Sequence, residues 1–418
     1  MSSPSAAAAP ATQGRPQPQT AEGGDPMHVR VGVSEGDFVG RTNAEIQQAI
    51  DAVGAYGGGT VEIGPGEFTL YNTVRLRPNV RLVGAGTDTV LRKCDGAHSQ
   101  FAVDADYGQK KVSARDPSSF RAGMGVVIRD DRSGGWHDTL ATITLVQGNT
   151  LYLDSALLSD YDGDAGGVVY NAFPLIGGWD VDSVVIEGIC ADGNRGSNLP
   201  INGCIGGGIY LHRARNCRIA DCIVRDFAGD GISFQTTQNI TVERCEVLRS
   251  TGIGFHPGTG SAQPVLRDCR AHANDGDGIF LCWRVQDGRF EGNQSVANLG
   301  HGISIGHKDT DNVFVGNVIR GNRQHGIYFR DEKASNAGSR NTFQQNVIED
   351  NGDCGVFVAG QTTDLLFEAN TIRDTRAANA RTQRIGICVG EQAARVRAVR
   401  NRVANHVEAD YRGEMAVE

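Results

Sequence analysis

Long apolar runs are missing from this 418-residue chain: no stretch approaches the roughly eighteen residues that a bilayer-crossing helix needs, so a soluble protein with no membrane partner is expected. Proline is sparse at 12 residues, and glycine, though abundant at 56, follows no triplet period, which excludes collagen. Basic charge is not in excess either. With 40 Lys and Arg against 49 Asp and Glu the formal net charge is −9, which argues against a nucleic-acid partner, because that affinity comes from cations neutralising phosphates. Ten cysteines are too few to staple a chain of this length, so reduced, buried thiols are expected. An apolar leader is absent from the start: Met1 to Pro10 carries no Lys or Arg, and Ala6 to Ala9 is too short for a signal's hydrophobic region. That predicts a cytoplasmic protein, or a secreted or periplasmic one if the true start differs.

What is present reads as a β protein. Residues 1–26, rich in Ala, Pro, Ser, Gln and Gly, are expected to form a disordered tail. Residues 27–93 open with a helix, since Thr42 and Glu45 have capping-box spacing and Ile46, Ala49, Ile50 and Val53 recur at helical intervals before Gly57-Gly58-Gly59 stops it. Residues 94–172 break the pattern with antiparallel strand signals around Val112, Val126, Ala141 and Tyr152, predicting a β-rich insertion; Trp136 and His137 sit on a loop of it.

From 173 to 418 a unit of glycine, apolar, any, apolar recurs at Gly208, Gly231, Gly252, Gly278, Gly302, Gly326, Gly355 and Gly386. A period of roughly two dozen residues means a solenoid. The first and third positions after each glycine are apolar throughout, from Ile209 and Leu211 to Ile387 and Val389, and their spacing of two predicts inward-facing strand positions. A second row, Cys222, Cys245, Cys269, Asn293, Asn317, Asn346 and Asn370, predicts stacked thiols and hydrogen-bonded turn asparagines. The stretch from Gly36 to Lys93, with GGGTVEIGPGEF and NVRLVGAGTDTVL, resembles the N-terminal part of the pectate-lyase-like superfamily. The resemblance implies an all-β fold, a right-handed parallel β-helix whose open end is capped by the short helix.

In a solenoid the inward rows are packing, so chemistry falls to outward positions and the turns behind them. Those positions gather Gln235, His256, Trp283, Arg284, His307, Lys308, Arg330, Asp331 and Glu332 on one face, with Asp277, His301 and Tyr328 beside them. The cations form a positive patch suited to a carboxylate, and Trp283 and Tyr328 suit the faces of sugars. A uronic-acid-containing poly- or oligosaccharide is therefore the expected partner. His256 or Lys308 is assigned as base, Arg284 and Arg330 as carboxylate clamp, His307 as proton donor and Glu332 as the group orienting the cations. Gln235, Trp283, Tyr328, Asp277, His301 and Asp331 are assigned to substrate binding.

Two motifs carry family resemblances. GHGISIGHKDTDN, from Gly300 to Asn312, resembles the glycine-histidine-glycine segment of polygalacturonase-type hydrolases, which implies an active-site role for His301. Gly254-Phe255-His256-Pro257 is similar to the glycine-phenylalanine-aspartate-proline element of alginate C5-epimerases, with histidine in the aspartate position. These resemblances imply an enzyme that abstracts the proton next to the carboxylate, a lyase or an epimerase; a glycoside hydrolase using Asp277 and Glu332, or a non-catalytic glycan-binding solenoid, are the alternatives. A metal site from His256, Cys282 and His307 matches no zinc spacing, so no metal is expected. Ca²⁺, which pectate lyases of the superfamily often hold on aspartates, is the one cofactor left in view, and Asp309-Thr310-Asp311, its only candidate run, reads as a turn.

Overall fold

The structure, a computed structural model, describes residues 26–418, so the disorder expected of the tail falls, apart from Pro26, outside the described residues. Nearly all the regular structure is β. Each rung of the main body contributes three short strands, and every strand pairs in parallel with its counterpart one rung away. The result is the parallel β-helix that the glycine period predicts.

One face is an eleven-stranded parallel sheet: β1 (Val74–Arg75), β2 (Ile176–Trp179), β3 (Ile209–His212), β4 (Ile232–Gln235), β5 (Phe255–Gly258), β6 (Ile279–Phe280), β7 (Ile303–Ile305), β8 (Ile327–Phe329), β9 (Cys354–Val358), β10 (Ile385–Val389) and β11 (Ala409–Arg412). The other two strands of each rung form two further ladders, which the long strands Val80–Lys93 and Val185–Asp192 join into one sheet.

The interior is built by stacking like on like. Ile209, Ile232, Phe255, Ile279, Ile303, Ile327, Val356 and Ile387 are all 1% exposed or less, and Phe290, Phe314, Phe343 and Phe367 stack ring on ring at 4.5, 4.5 and 5.1 Å. The cysteine-asparagine row is a ladder as expected. Each asparagine amide donates to the next one's Oδ1, as in Asn293 to Asn317 (3.0 Å) and Asn317 to Asn346 (2.9 Å), and also to a backbone carbonyl. Two more such rows, Asn274-Asn298-Asn322-Asn351 and Asn312-Asn341, went unnoticed in the sequence.

The register differs from the sequence reading at one rung. Ile232 pairs with Phe255 and Ser233 with His256, so the rung glycine is Gly254 rather than Gly252. Two Gly-Ile pairs stand close together there, and the hydrophobic pattern alone does not choose between them. The pairing does, because it keeps Phe255 inward and opposite Ile279.

The helix Asn43–Ala55 has its capping box in place, Thr42 Oγ1 accepting from Ala44 N at 3.1 Å and Glu45 accepting from Thr42 N at 3.0 Å. Its fully buried Ile46, Ala49, Ile50 and Val53 close the N-terminal end of the core. Between His98 and Tyr170 the chain leaves the coil and forms a six-stranded antiparallel sheet with its own apolar cluster.

Candidate active site

Because the first and third residues after each rung glycine of the eleven-stranded sheet face the core, the second and fourth face outward, and the residue just before the glycine stands at the edge of the same face. Three rows result: Asp230, Ile253, Asp277, His301, His325 and Cys354 before the glycine; Ser233, His256, Phe280, Ser304, Tyr328 and Phe357 second after it; Gln235, Gly258, Cys282, Gly306, Arg330 and Ala359 fourth after it. Contacts run diagonally between the first two rows. The side chain before the glycine meets the second residue of the next rung: Asp230 with His256, His301 with Tyr328, His325 with Phe357.

These rows divide the candidate residues into three groups. At one end His256 Nδ1–H donates to Asp230 Oδ2 at 2.7 Å, and the Gln235 amide lies 3.4 Å from His256 Nε2. The pair is covered. The segment 199–206 lies across it, with Gly203 O accepting from Ser233 Oγ at 2.7 Å, which leaves His256 4% exposed and Gln235 fully buried. A Cβ on Gly203 would stand 1.7 Å from Asp230 Oδ2, so glycine is what lets the segment lie this close. Gly135 of the insertion approaches Cys204, and Trp136 lies against His212 with the rings tilted at 41° and 5.2 Å apart, so the insertion loop and this segment wall one end of the outward face.

The middle group is Asp277, His301, His325 and Tyr328, with Arg330 beside them. Asp277 Oδ1 accepts from the His301 backbone N–H at 2.6 Å, and its other oxygen makes no hydrogen bond among the described residues. Burial pushes this carboxyl up to about 6, against the pull of that N–H and of the Arg330 charge. His301 stacks against both His325 (5.2 Å, 8°) and Tyr328 (4.5 Å) of the next rung, which also touch each other. Burial, with the neighbouring His325 and Arg330 adding to it, drives its imidazole down to about 3. The His325 backbone N–H donates to His301 Nδ1 at 3.2 Å, so the neutral ring carries its proton on Nε2. His325, its imidazole also lowered by burial, is fixed the same way by Cys354 N at 3.1 Å.

Arg330 lies flat across the sheet. It donates to Ser304 Oγ (3.0 Å), Leu281 O (2.8 Å) and buried Asp309 (3.2 Å), and covers Phe280 at 4.4 Å. Gly306 makes room, since a Cβ there would meet Arg330 Nε at 2.6 Å. Arg330 is thus a fixed positive charge rather than an open fork.

The third group sits at the far ends of the strands. His307 Nε2 bonds Glu332 at 3.0 Å, Trp283 stacks on His307 at 5.2 Å, and Arg284 and Lys308 are exposed beside them. Glu332 therefore cannot face Asp277 across one glycosidic bond, and Asp331 is exposed with no side-chain partner among the described residues. His256, Cys282 and His307 do not converge. Asp309 is held by Arg330 and by the backbone N–H groups of Val285 and Gly306, while Asp311 pairs with Arg340, so these aspartates do not form a calcium cage. Among the described residues one group of metal-ligand types is close-set: His325, Asp353 and Cys354, with ligand atoms within 4.8 Å.

Of the predicted residues, the structure brings Asp277, His301, Tyr328 and Arg330 together; it places Gln235 with His256, and Trp283, Arg284, His307, Lys308 with Glu332. Asp230 was missed, although the repeated Asp-Gly at Asp230-Gly231 and Asp277-Gly278 signals it.

Parallel rungs of this length, the capping helix and the outward rows define a right-handed parallel β-helix protein of pectate-lyase-like architecture. A family model described as "Right handed beta helix region" matches residues 187–337. The chain is 26% identical over 273 residues to mannuronan C5-epimerase AlgE6 of Azotobacter vinelandii, an alignment that takes in 63% of this chain and 21% of that one. It is 27% identical over 264 residues to AlgE4 of the same organism, with 63% and 33% covered. It thus spans between a fifth and a third of these relatives' length. Among solved structures the AlgE6 A-module from Azotobacter vinelandii superposes with a TM-score of 0.58 at 17% identity, covering 90% of this chain and 95% of the module. A polygalacturonase from Erwinia carotovora superposes at 0.60 and 12% identity, covering 96% and 99%. At such identities the structural likeness concerns the fold alone.

Proposed function

We propose that the chain is a carbohydrate-active enzyme that acts on a uronic-acid-containing poly- or oligosaccharide and removes the proton from the carbon bearing the carboxylate, as an epimerase or a lyase. The observation that carries this reading is the Asp277 carboxyl: raised to about 6, with one oxygen held and the other free, next to the fixed charge of Arg330. A base whose pKa lies near the operating pH is what proton abstraction from carbon needs. The similarity to mannuronan C5-epimerases supports the substrate class.

In this mechanism the free Asp277 oxygen takes the proton, and the C–H electron pair moves into the substrate carboxylate. The Arg330 charge and the Nε2–H of His301 meet the negative charge as it develops. Tyr328 lies against the His301 ring. Return of a proton to the opposite face of that carbon gives the epimer; expulsion of the neighbouring glycosidic oxygen, with a proton supplied to it, gives the unsaturated sugar. His256 then serves as a positioning residue, locked by Asp230 under the 199–206 segment.

Hydrolysis is the second reading. Asp230 and Asp277 hold equivalent places two rungs apart, about 9.6 Å by strand spacing, just past the roughly 6.5–9.5 Å of inverting glycosidases. Against it, both Asp230 oxygens are engaged, by Ile253 N and by His256. Incubation with polymannuronate, polygalacturonate and their oligomers in D₂O separates the readings. Either deuterium at the carbon next to the carboxylate with an inverted centre, or an unsaturated end in which that carbon has lost its hydrogen, is expected. New reducing ends with neither would overturn abstraction in favour of hydrolysis.

A further inference from the structure

We propose that Trp283, Arg284, His307, Lys308 and Asn336 form a second sugar subsite, which takes one carboxylate-bearing pyranose of the same glycan well away from the reacting one. The inference rests on the reading above for its substrate class, and adds a place where the chain is gripped.

These residues line a cavity of about 140 Å³ at the far ends of β6 and β7. Asp277 and Trp283 flank β6 at its two ends, six residues apart along a chain that bends at Gly278, so roughly 20 Å at 3.3 Å per residue is the most that separates their backbones. The volume is well below the several hundred Å³ of a pocket that encloses a ligand. It is the size of a platform on which one ring lies. Trp283 supplies the platform: it is 47% exposed, where most large apolar side chains of the rungs are buried, and it is braced from beneath by His307 at 5.2 Å and an interplanar angle of 27°. An exposed indole held in one orientation offers the C–H face of a pyranose a flat apolar partner at little entropic cost.

Two cations flank that platform. The Arg284 guanidinium lies 5.8 Å from the Trp283 ring, and neither Arg284 nor Lys308 makes an ion pair or a side-chain hydrogen bond among the described residues. The acid within reach, Glu332, is already held by His307 Nε2. That bond leaves His307 Nδ1 buried without a partner among the described residues. The backbone is unusual here as well. Trp283-Arg284 and His307-Lys308 are consecutive left-handed pairs, with φ of 59°, 66°, 45° and 66°, and among the described residues no other two adjacent non-glycine residues share that conformation. Such strain persists where the surroundings enforce it, and it gathers at ligand sites. Together the parts read as an apolar floor with a positive rim, which selects a uronate over a neutral sugar.

The test is binding and turnover of uronate oligomers of increasing length, beside their neutral counterparts, with the full chain, Trp283→Ala and the double variant Arg284→Gln/Lys308→Gln. Calorimetry reads binding, and indole fluorescence reads contact at Trp283. For Trp283→Ala the expected result is a loss of about tenfold in affinity for long oligomers, seen in KM, that vanishes for the shortest. The double variant should lose the preference for uronate over neutral oligomers, and its loss should shrink as salt is raised. Equal losses at every length, or none, would overturn the subsite even if turnover proceeds. Length-dependent binding through Trp283 with no turnover of any uronate would instead leave the subsite standing and remove the catalytic reading. Thermal melts of both variants, expected unchanged at these exposed positions, guard against misfolding.

Discussion

At Asp277 a stability cost and the proposed catalytic role coincide. Its carboxyl is raised to about 6 from an ordinary value of 3.8. The folded protein therefore holds the proton more tightly than the unfolded chain does. The associated stability is fully present below the unfolded value and is lost as pH rises through about 6. Two results should follow. The acid limb of kcat/KM should rise through about pH 6, and Asp277→Asn should abolish turnover while being more stable than wild type at pH 8, by an amount on the order of 3 kcal/mol. A variant that loses activity without gaining stability would mean that Asp277 is not a strained carboxylate. Arg330 pulls the Asp277 value down, so Arg330→Gln should shift the same limb upward, as a pH-rate profile would read. His301, driven to about 3, should contribute no limb between pH 5 and 9. Histidines, cations and aspartates near these positions were visible in the sequence. Their pairings were not, because each contact joins residues 24 to 29 apart through a diagonal that only the packed rungs create.

At the scale of the element, the ladders explain what was legible and what was lost. A row of side chains repeating once per turn announces itself in a sequence, as the apolar rows and the Cys-to-Asn row do. A two-residue ambiguity within one rung is invisible to such a pattern, and between Gly252 and Gly254 it moved His256 from the second outward position to the fourth. A strand's length matters as well. Trp283, Arg284, His307 and Lys308 share an outward strip with Asp277 and His301, but short extended strands hold the two sets at opposite ends. The asparagine row tests the stacking account directly. Asn317 donates to Asn346 Oδ1 and Phe290 O, and accepts from the backbone and amide of Asn293. Asn317→Ala strands several buried groups at roughly 1–3 kcal/mol each, so a drop of about 3 kcal/mol or more is expected by denaturant melts. Asn317→Cys should cost less, since thiols occupy this row at Cys222, Cys245 and Cys269 with contacts to backbone carbonyls. If the two variants melted alike, the row would be filler rather than a hydrogen-bonded ladder.

The whole molecule is close to one-dimensional: each rung touches its neighbours, and the ends are where it is vulnerable. The helix Asn43–Ala55 covers the N-terminal end with Ile46, Ala49, Ile50 and Val53, all fully buried against the first rungs. The candidate active site lies many rungs away, between β6 and β9, and shares no contact with the cap. Ile50→Ala should cost about 2–5 kcal/mol locally, as large-to-small core changes do. In a globular core such a loss would be felt everywhere. Here it should fray the first rungs while the distant ones hold, because stability in a stacked array is a sum of rung and interface contributions. Hydrogen exchange read by mass spectrometry should therefore show residues 27–93 losing protection in Ile50→Ala, with strands β6 to β9 and oligouronate binding at Trp283 little altered. Uniform loss of protection from end to end would mean that the coil folds as a single cooperative block, and that the capping helix governs the geometry of Asp277 and Arg330 as surely as their own neighbours do.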